Sequence, residues 1–114
     1  MLRREYKLKR DNDFKKVFKQ GKYFQEDFIK LKILKNKLAD NRFAFIVGLK
    51  VSKKATRRNK IKRQLEEIIR LNLGKMEKGF DLVVLPEKEI ISKSYSEIEK
   101  NLLNLLKISK LSIN

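Results

Sequence analysis

The sequence contains no cysteine, no histidine, one proline and four isolated glycines. Without cysteine the chain has no disulfide, thiolate metal ligand or cysteine nucleophile. Without histidine it lacks imidazole metal ligands and the commonest general base. The glycines stand apart at positions 21, 48, 74 and 79, so no glycine-rich phosphate loop is present. The acidic pairs 26–27 and 66–67 are adjacent in sequence, and their side chains diverge on a strand or a helix. The residues therefore offer no protein-borne catalytic group.

Long apolar runs are also missing. No stretch approaches the ~18 apolar residues that cross a membrane, and the N-terminus MLRREYKLKR is polar where a secretory segment would be apolar. No long helix pairs a Lys/Arg face with a Trp/Phe/Leu face, as membrane-surface helices do. We therefore expect a cytoplasmic protein without a membrane partner.

Positive charge is plentiful and lies in the first half of the chain. The net charge is +16; residues 1–63 hold 22 Lys/Arg and 6 Asp/Glu, whereas residues 64–114 hold eight of each. The 114 residues, 41% of them hydrophobic, suit one folded domain spanning 1–114. A one-sided positive field on a folded domain indicates a polyanionic partner, nucleic acid above all.

The densest basic stretch is KKATRRNKIKR, residues 53–63, in which seven of eleven residues are basic and none is acidic. It lies between an apolar run, FAFIVGLKV, and a helical stripe formed by Ile61, Leu65, Ile68 and Ile69. Cations fixed at the start of a helix are well placed to bind phosphate. The alternative is an ordinary solvated basic face, although such faces normally carry acidic residues as well.

Hydrophobic periodicity and cap signals predict the order αβββαβα. The predicted helices run from Asp11 or Asn12 to Gln20, from Thr56 as candidate N-cap to about Leu73, and from a Ser94–Glu97 capping-box pattern to about Lys107. The predicted strands are a period-two pattern over 23–35, a buried strand over 42–51 and a strand over 80–85 that Pro86 closes. The fold class is α/β (α+β): a small mixed four-stranded sheet with helices packed on it. The strand–helix–strand unit over 42–85 is expected to be parallel. Residues 1–10 are expected to form a flexible basic arm, and 108–114 a frayed tail.

Two groups of aromatic and basic residues invite comparison with single-stranded nucleic-acid sites. Phe14 and Phe18 share one face of the first helix, and Phe28 and Lys30 share one face of the following strand pattern. Rings left open beside cations stack on nucleobases. Plain core packing of the two helical rings, and a solvated strand face with protective lysines, are the alternatives.

The segment VSKKATRRNKIKR, with DFKKVFKQGK before it and GFDLVV after it, resembles the bacterial ribonuclease P protein component. The resemblance covers roughly residues 8–107 and implies a subunit that binds a catalytic RNA and helps it remove the 5′ leader of precursor tRNA. It implies that the RNA carries the Mg²⁺ and the chemistry, and that the protein has no catalytic residue, metal, cofactor or obligate protein partner. It also implies a left-handed crossover, against the general preference.

Carried over by position, the resemblance assigns two sets of residues. The residues assigned to the catalytic RNA are Lys53, Lys54, Arg57, Arg58, Asn59, Lys60, Lys62 and Arg63. Those assigned to the leader are Phe14, Phe18, Phe28 and Lys30. The chain departs from the family pattern at Lys60 and Glu66, where arginine is usual, at Leu31, where an aromatic often lies, and in the shortened loop before Ala55. We expect charge reversal at Arg58 and Arg63 to leave the fold intact.

Other functions fit parts of the sequence. Composition and charge suit a structural RNA-binding protein, such as a ribosomal component, equally well, and only the ordered motif argues against it. A DNA-binding helix is a third hypothesis, but Lys60 to Arg63 lacks the spread of Asn, Gln and Arg that reads base edges. An enzyme acting without RNA is the hypothesis with the least support, since the residues offer no catalytic group.

Overall fold

Four strands form one mixed sheet, and three helices cover its two faces in this computed structural model, which describes residues 2–111. The helices are α1 (Asp11–Gln20), α2 (Ala55–Asn72) and α3 (Tyr95–Ile108), and the strands are β1 (Lys22–Glu26), β2 (Ile29–Lys35), β3 (Arg42–Phe45) and β4 (Phe80–Pro86). Their order along the chain is αβββαβα, which confirms the predicted fold class. Between residues 2 and 111, no helix is both long and apolar enough to cross a membrane.

The strands lie in the spatial order β1-β2-β4-β3. The β1–β2 and β2–β4 pairs are antiparallel, while β3 pairs with β4 in parallel, with Phe43 opposite Leu82. The connection between the two parallel strands contains α2, so the predicted strand–helix–strand unit is confirmed. The left-handedness of that crossover stays a prediction.

Alternation along the strands divides the core between the two faces of the sheet. One face carries Ile29, Leu31 and Ile33 and is covered by the apolar stripes of α2 and α3. On the other face Val17 of α1 packs on Ala44 and Val83. Because side chains alternate along a strand, the central strands must be apolar on both faces when both are covered.

The strand pattern over 23–35 is a hairpin, with a turn at Asp27 and Phe28 between β1 and β2. Asp27 has a positive φ of 52°. The buried Asn101 of α3 fixes the turn, since its Nδ2 donates to the Glu26 carbonyl at 2.8 Å and its Oδ1 accepts from the Phe28 amide at 3.2 Å. The alternating pattern of the sequence continues across residues 27 and 28, so the sequence did not reveal the turn.

Strand β3 ends at Phe45, so the prediction of a strand reaching residue 51 was wrong. The Ile46 amide still donates to the Val84 carbonyl at 2.9 Å, but the Val51 amide then donates to the Gly48 carbonyl at 3.0 Å and closes a turn. Val47 and Val51 are buried while Leu49 is 69% exposed. The apolar residues after Phe45 anchor a loop that leads into α2.

Both predicted loose ends pack on the fold as far as the described residues reach. At the N-terminus Leu2 and Leu8 are buried, and the Leu8 amide donates to the Phe43 carbonyl at 2.8 Å. At the other end Leu111 is buried, and its carbonyl accepts from the Glu77 amide at 2.7 Å. The predicted arm and tail therefore hold to the fold through apolar anchors; residues 1 and 112–114 lie outside the described part.

Of the three helix N-termini, the one at α3 alone has the side-chain cap that was predicted for it. Ser94 accepts from the Glu97 amide at 3.1 Å and the Glu97 carboxylate accepts from the Ser94 amide at 3.0 Å, which is the predicted capping box. Helix α2 begins at Ala55 with Lys54 as N-cap, so Thr56 lies in the first turn instead of capping it. Helix α1 starts at Asp11 without a side-chain cap.

Candidate nucleic-acid interface

The predicted basic cluster lies at the start of α2 and in the residues just before it. Ile61, Leu65, Ile68 and Ile69 are buried against the sheet and α3, which orients the helix. Most of the cluster therefore faces outward. Its exposed members are Lys53, Lys54, Arg57, Asn59, Lys60 and Arg63, while Arg58 and Lys62 are half-buried.

None of the seven cations of the cluster forms an ion pair in the described part of the chain. Within residues 2–111, no carboxylate oxygen lies within 4.0 Å of a charged nitrogen of any of the seven. The first turn of α2 has no acidic residue, and the positive end of the helix dipole adds to the field. Further along, Glu67 pairs with Arg70, and the guanidinium lowers the pKa of the Glu67 carboxyl through a hydrogen bond. The cationic surface is thus confined to the beginning of the helix.

Arg58 has a structural role in addition to its charge. Its Nη1 donates to the Ser52 carbonyl at 3.0 Å, and the Ser52 hydroxyl accepts from the Lys54 amide at 3.2 Å. These two bonds hold the short loop against the first turn of α2. Reversing the charge at Arg58 would remove one of them, so this change tests charge and loop structure together, and the expectation that it leaves the fold intact stays a prediction. Arg63 is exposed, and the expectation stands for it.

A recess of about 250 Å³ joins the basic helix to α1. Lys62 and Glu66 line it from α2, Phe14 lines it from α1, and Lys7 and Lys9 line it from the N-terminal segment. One residue from each of the two sets assigned by position, Lys62 and Phe14, therefore borders this recess. Glu66 places a carboxylate in the same recess, which reduces the positive field there.

Phe14 and Phe18 differ in how much of the ring is free. Phe14 is half-buried against the small core under α1, so it serves packing and presents only part of its ring. Phe18 is 40% exposed. The Lys32 amine donates to the Phe18 carbonyl at 2.9 Å and lies 5.3 Å from the ring centroid. A partly exposed ring with an ammonium over it has the chemistry of a base-stacking position next to a phosphate contact.

Tyr23 is a residue that the sequence analysis did not assign. It lies directly opposite Lys32 in the β1–β2 register and is 52% exposed. Its hydroxyl donates to Gln25 Oε1 at 2.6 Å, which fixes the ring direction. Directly opposed residues on antiparallel strands share a face, so Tyr23 lies on the same side of the sheet as Phe18. Only the hairpin register reveals this, because the sequence pattern gives no pairing.

Phe28 is not part of this surface, and its assignment to the leader was wrong. The ring is 4% exposed and belongs to the core on the opposite face of the sheet. The physical reason is the turn at Asp27, which breaks the alternation that would have placed Phe28 beside Lys30. Leu31 is fully buried in that core too, so an aromatic residue there would not reach the α1 side.

Lys30 lies on the predicted face but has an acidic partner. Its amine is 3.1 Å from Glu87 Oε1, and the hydrogen bond to Glu87 raises the pKa of Lys30. Gln25 Nε2 also donates to that oxygen at 3.3 Å. Glu87 therefore neutralises one of the cations that would meet a phosphate at this end of β2.

No group of three or more acidic side chains that could hold a metal ion occurs within the described residues. The interface consists instead of cations, amides and partly open rings on two connected surfaces. Such an arrangement binds and orients a polyanion without a reacting group of its own.

The chain is similar to known proteins of one family. Residues 2–110 match the family model described as Ribonuclease P. The "Ribonuclease P protein component" of Streptococcus pneumoniae serotype 4 is 38% identical over 113 residues, covering 96% of this chain and 89% of that protein. The RNase P protein from Thermotoga maritima superposes with a TM-score of 0.82 at 39% identity, over 89% of this chain and 94% of that one. The RNase P protein of Staphylococcus aureus gives a TM-score of 0.87 at 25% identity, over 94% and 97%.

Proposed function

This chain belongs to the ribonuclease P protein family, and on that premise we propose how its side chains divide between two RNAs. It is the accessory protein subunit of a ribonucleoprotein endoribonuclease that matures the 5′ end of tRNA, and its partner is the RNase P RNA. The proposal concerns which residues meet that RNA, which meet precursor tRNA, and how the binding assists cleavage.

The start of α2 is proposed to bind the catalytic RNA. The observation that carries this is the set of seven cations with no carboxylate within 4.0 Å in the described part of the chain. Each phosphate that a lysine or arginine neutralises releases condensed counterions, which drives association. Lys60 makes a point-charge contact where an arginine would make a bidentate one. Arg58 is proposed to contribute by fixing the loop as well as by its charge.

The α1 side of the sheet is proposed to bind the single-stranded leader. Phe18 and Tyr23 present free ring surface, and the Lys32 amine lies between the two elements that carry them. Unpaired bases stack on such rings with little sequence preference, which suits a leader of variable sequence. Phe14 supports this surface by packing beneath it. Lys30 contributes less to phosphate binding, because its amine is paired with Glu87.

Catalysis is proposed to rest with the RNA and its Mg²⁺, and the protein assists by binding. A protein held on the RNA by α2 and on the leader by the α1 side fixes the substrate relative to the catalytic RNA. Part of the translational and rotational entropy of the substrate is then lost when the complex assembles, before the cleavage step. The cations also reduce phosphate repulsion between the two RNAs. We propose that this takes place in the cytoplasm.

Reconstitution tests the proposal directly. The chain is added to the cognate RNase P RNA, Mg²⁺ and a precursor tRNA with a labelled leader, and multiple-turnover cleavage is measured at low salt. We expect faster leader release with the protein than with RNA alone, and none with the protein alone. Unchanged processing would favour a structural RNA-binding protein. Cleavage by the protein without RNA would place the chemistry in the chain.

A further inference from the structure

A second recess lies on the flank of α2 that faces away from α1. It has a volume of about 300 Å³ and lies between the first turns of α2 and the 3₁₀ helix Lys88–Ser92 with the residue after it. Its lining residues are Arg57, Lys60, Ile61, Gln64, Ile90, Ile91 and Lys93. None of the residues assigned to the leader lines this recess, and Ile90, Ile91 and Lys93 lie outside the basic stretch 53–63.

The lining combines an apolar floor with three cations and one amide. Ile61 and Ile90 are buried, whereas Ile91 is 36% exposed and forms the open part of the floor. Arg57, Lys60 and Gln64 follow one side of the helix at spacings of three and four, so their side chains point the same way. No carboxylate lines this recess, whereas the recess beside α1 contains Glu66.

Two contacts position Lys93, one to the Phe28 ring outside the recess and one to Ile90 in its lining. Its amine lies 5.5 Å from the centroid of the buried Phe28 ring, and its backbone amide donates to the Ile90 carbonyl at 3.1 Å. The acidic neighbour is Glu97, whose carboxylate accepts from the Ser94 amide at 3.0 Å in the helix cap and attracts Lys93 without forming an ion pair within 4.0 Å among the described residues. A buried aromatic ring that fixes an ammonium at a recess rim prepares it for an anion.

We infer that this recess binds one unpaired nucleotide of the RNase P RNA, with its base against Ile91 and its phosphate between Arg57, Lys60 and Lys93. The inference rests on the proposed function and adds a base-binding subsite to it. The sequence alone does not indicate this subsite, because Lys93 lies 30 residues after the basic stretch ends at Arg63. The RNA-binding surface then extends from α2 across the connection between β4 and α3.

The chemistry of the recess favours an unpaired nucleotide over duplex RNA. In a duplex the base faces are stacked and the backbone presents only phosphates and hydroxyls, so an apolar floor would remain unused. An unpaired base can cover Ile91 and use its edge to accept from, or donate to, the Gln64 amide. A protein segment would need acidic side chains to satisfy three cations at once.

Charge removal at Lys93 is the first test. Binding of the Lys93→Gln variant to the cognate RNase P RNA is measured by filter binding across a range of salt. We expect the affinity to fall about three- to tenfold and the log–log salt slope to become shallower by about 0.7–0.9, the change for one lost phosphate contact. Lys93→Arg should restore most of the affinity, and thermal unfolding confirms that both variants fold. The matched control is Lys107→Gln on the exposed side of α3.

A unique thiol tests the base contact. Since the chain has no cysteine, Ile91→Cys can carry one photoreactive azidophenacyl group, with Leu71→Cys at the far end of α2 as the control. We expect a crosslink from position 91 to an unpaired nucleotide of the RNA. Crosslinks confined to paired regions, or no crosslink from position 91, would overturn the inference.

Arg63→Gln, measured alongside, separates the two proposals. Weaker binding of Arg63→Gln with Lys93→Gln equal to its control would leave α2 as the RNA contact and reject the second recess. Full binding by both variants would reject the proposed α2 surface as well.

Discussion

Arg42 on β3 and Asp81 on β4 form a two-point ion pair beneath α1. Arg42 Nε donates to Asp81 Oδ1 at 2.8 Å and Nη2 donates to Oδ2 at 2.7 Å. The remaining Nη1 reaches Asp13 in the first turn of α1 at 3.2 Å. Asp81 is 4% exposed and also accepts from Asn36 Nδ2 at 2.9 Å. One guanidinium thus connects two strands and the helix that carries Phe18.

Arg42→Met should destabilise the protein by about 3 kcal/mol, because it leaves the buried Asp81 carboxylate without its cation. Arg70→Met is the matched control, since it breaks the exposed pair with Glu67 and should cost much less, because solvent screens that pair. Urea denaturation at pH 7 measures both. Equal losses for the two variants would mean that the network under α1 contributes no more than a surface pair.

Phe18→Ala and Tyr23→Ala should each weaken binding of leader-bearing precursor tRNA by the holoenzyme. Stacking of a base on an aromatic ring is worth about 1–3 kcal/mol, so a loss of roughly fivefold or more is expected. Mature tRNA should bind as before. Leu71→Ala removes an equally exposed apolar side chain far from the sheet and serves as the control. If leader-bearing and leaderless substrates lose affinity equally, the rings do not contact the leader.

Glu87→Gln should strengthen leader binding. The substitution removes a carboxylate 3.1 Å from the Lys30 amine and leaves that cation free to meet a phosphate. Solvent screens exposed pairs, so only a modest gain of about two- to fivefold is expected. Glu89→Gln removes a nearby negative charge without touching Lys30 and provides the comparison. A gain of the same size in both variants would reflect net charge alone.

The capping box at α3 predicts a specific pH dependence of stability. The hydrogen bond from the Ser94 backbone amide holds the pKa of the Glu97 carboxyl below its ordinary value. A carboxyl with a depressed pKa in the folded state stabilises the protein above its unfolded pKa and loses that contribution as the pH falls through the folded pKa. The Tm advantage of the wild type over Glu97→Gln should therefore shrink as the pH falls from 5 to 3. An advantage independent of pH would show that the carboxylate charge has no part in the cap.

Local signals in the sequence predicted most of the fold. The Ser94–Glu97 capping box, the stop at Pro86 and the apolar stripe of α2 each act within a few residues, so their effect can be read from the chain alone. The break at Asp27 was missed because Asn101, which stabilises the turn, is 74 residues away and the alternation continues on both sides. The end of β3 was missed because the apolar residues that anchor the following loop continue the sequence pattern of the strand.

The candidate site, too, has residues that the sequence alone identifies and residues that only the structure identifies. The cations at the start of α2 could be found because they lie within eleven residues and the helix has one buried stripe. Tyr23, the pairing of Lys30 with Glu87, and the placement of Lys93 on Phe28 each depend on strand register or on elements far apart in the chain. Charge and periodicity indicate which residues face solvent, but the partners of those residues come only from the assembled sheet.

The central claim is that the start of α2 holds RNA through its phosphates. Its most direct test is the salt dependence of binding to the cognate RNase P RNA. For partial engagement of the seven cations, log K should fall with log salt at a slope of about −4 to −6. Replacing Lys53, Lys60 and Arg63 together by Gln should make the slope shallower by about 2–3.

Replacing three exposed lysines elsewhere, Lys75, Lys78 and Lys107, by Gln changes the net charge equally and should leave the slope close to that of the wild type. A wild-type slope shallower than about −2, or equal changes in the two triple variants, would contradict a phosphate contact centred on α2.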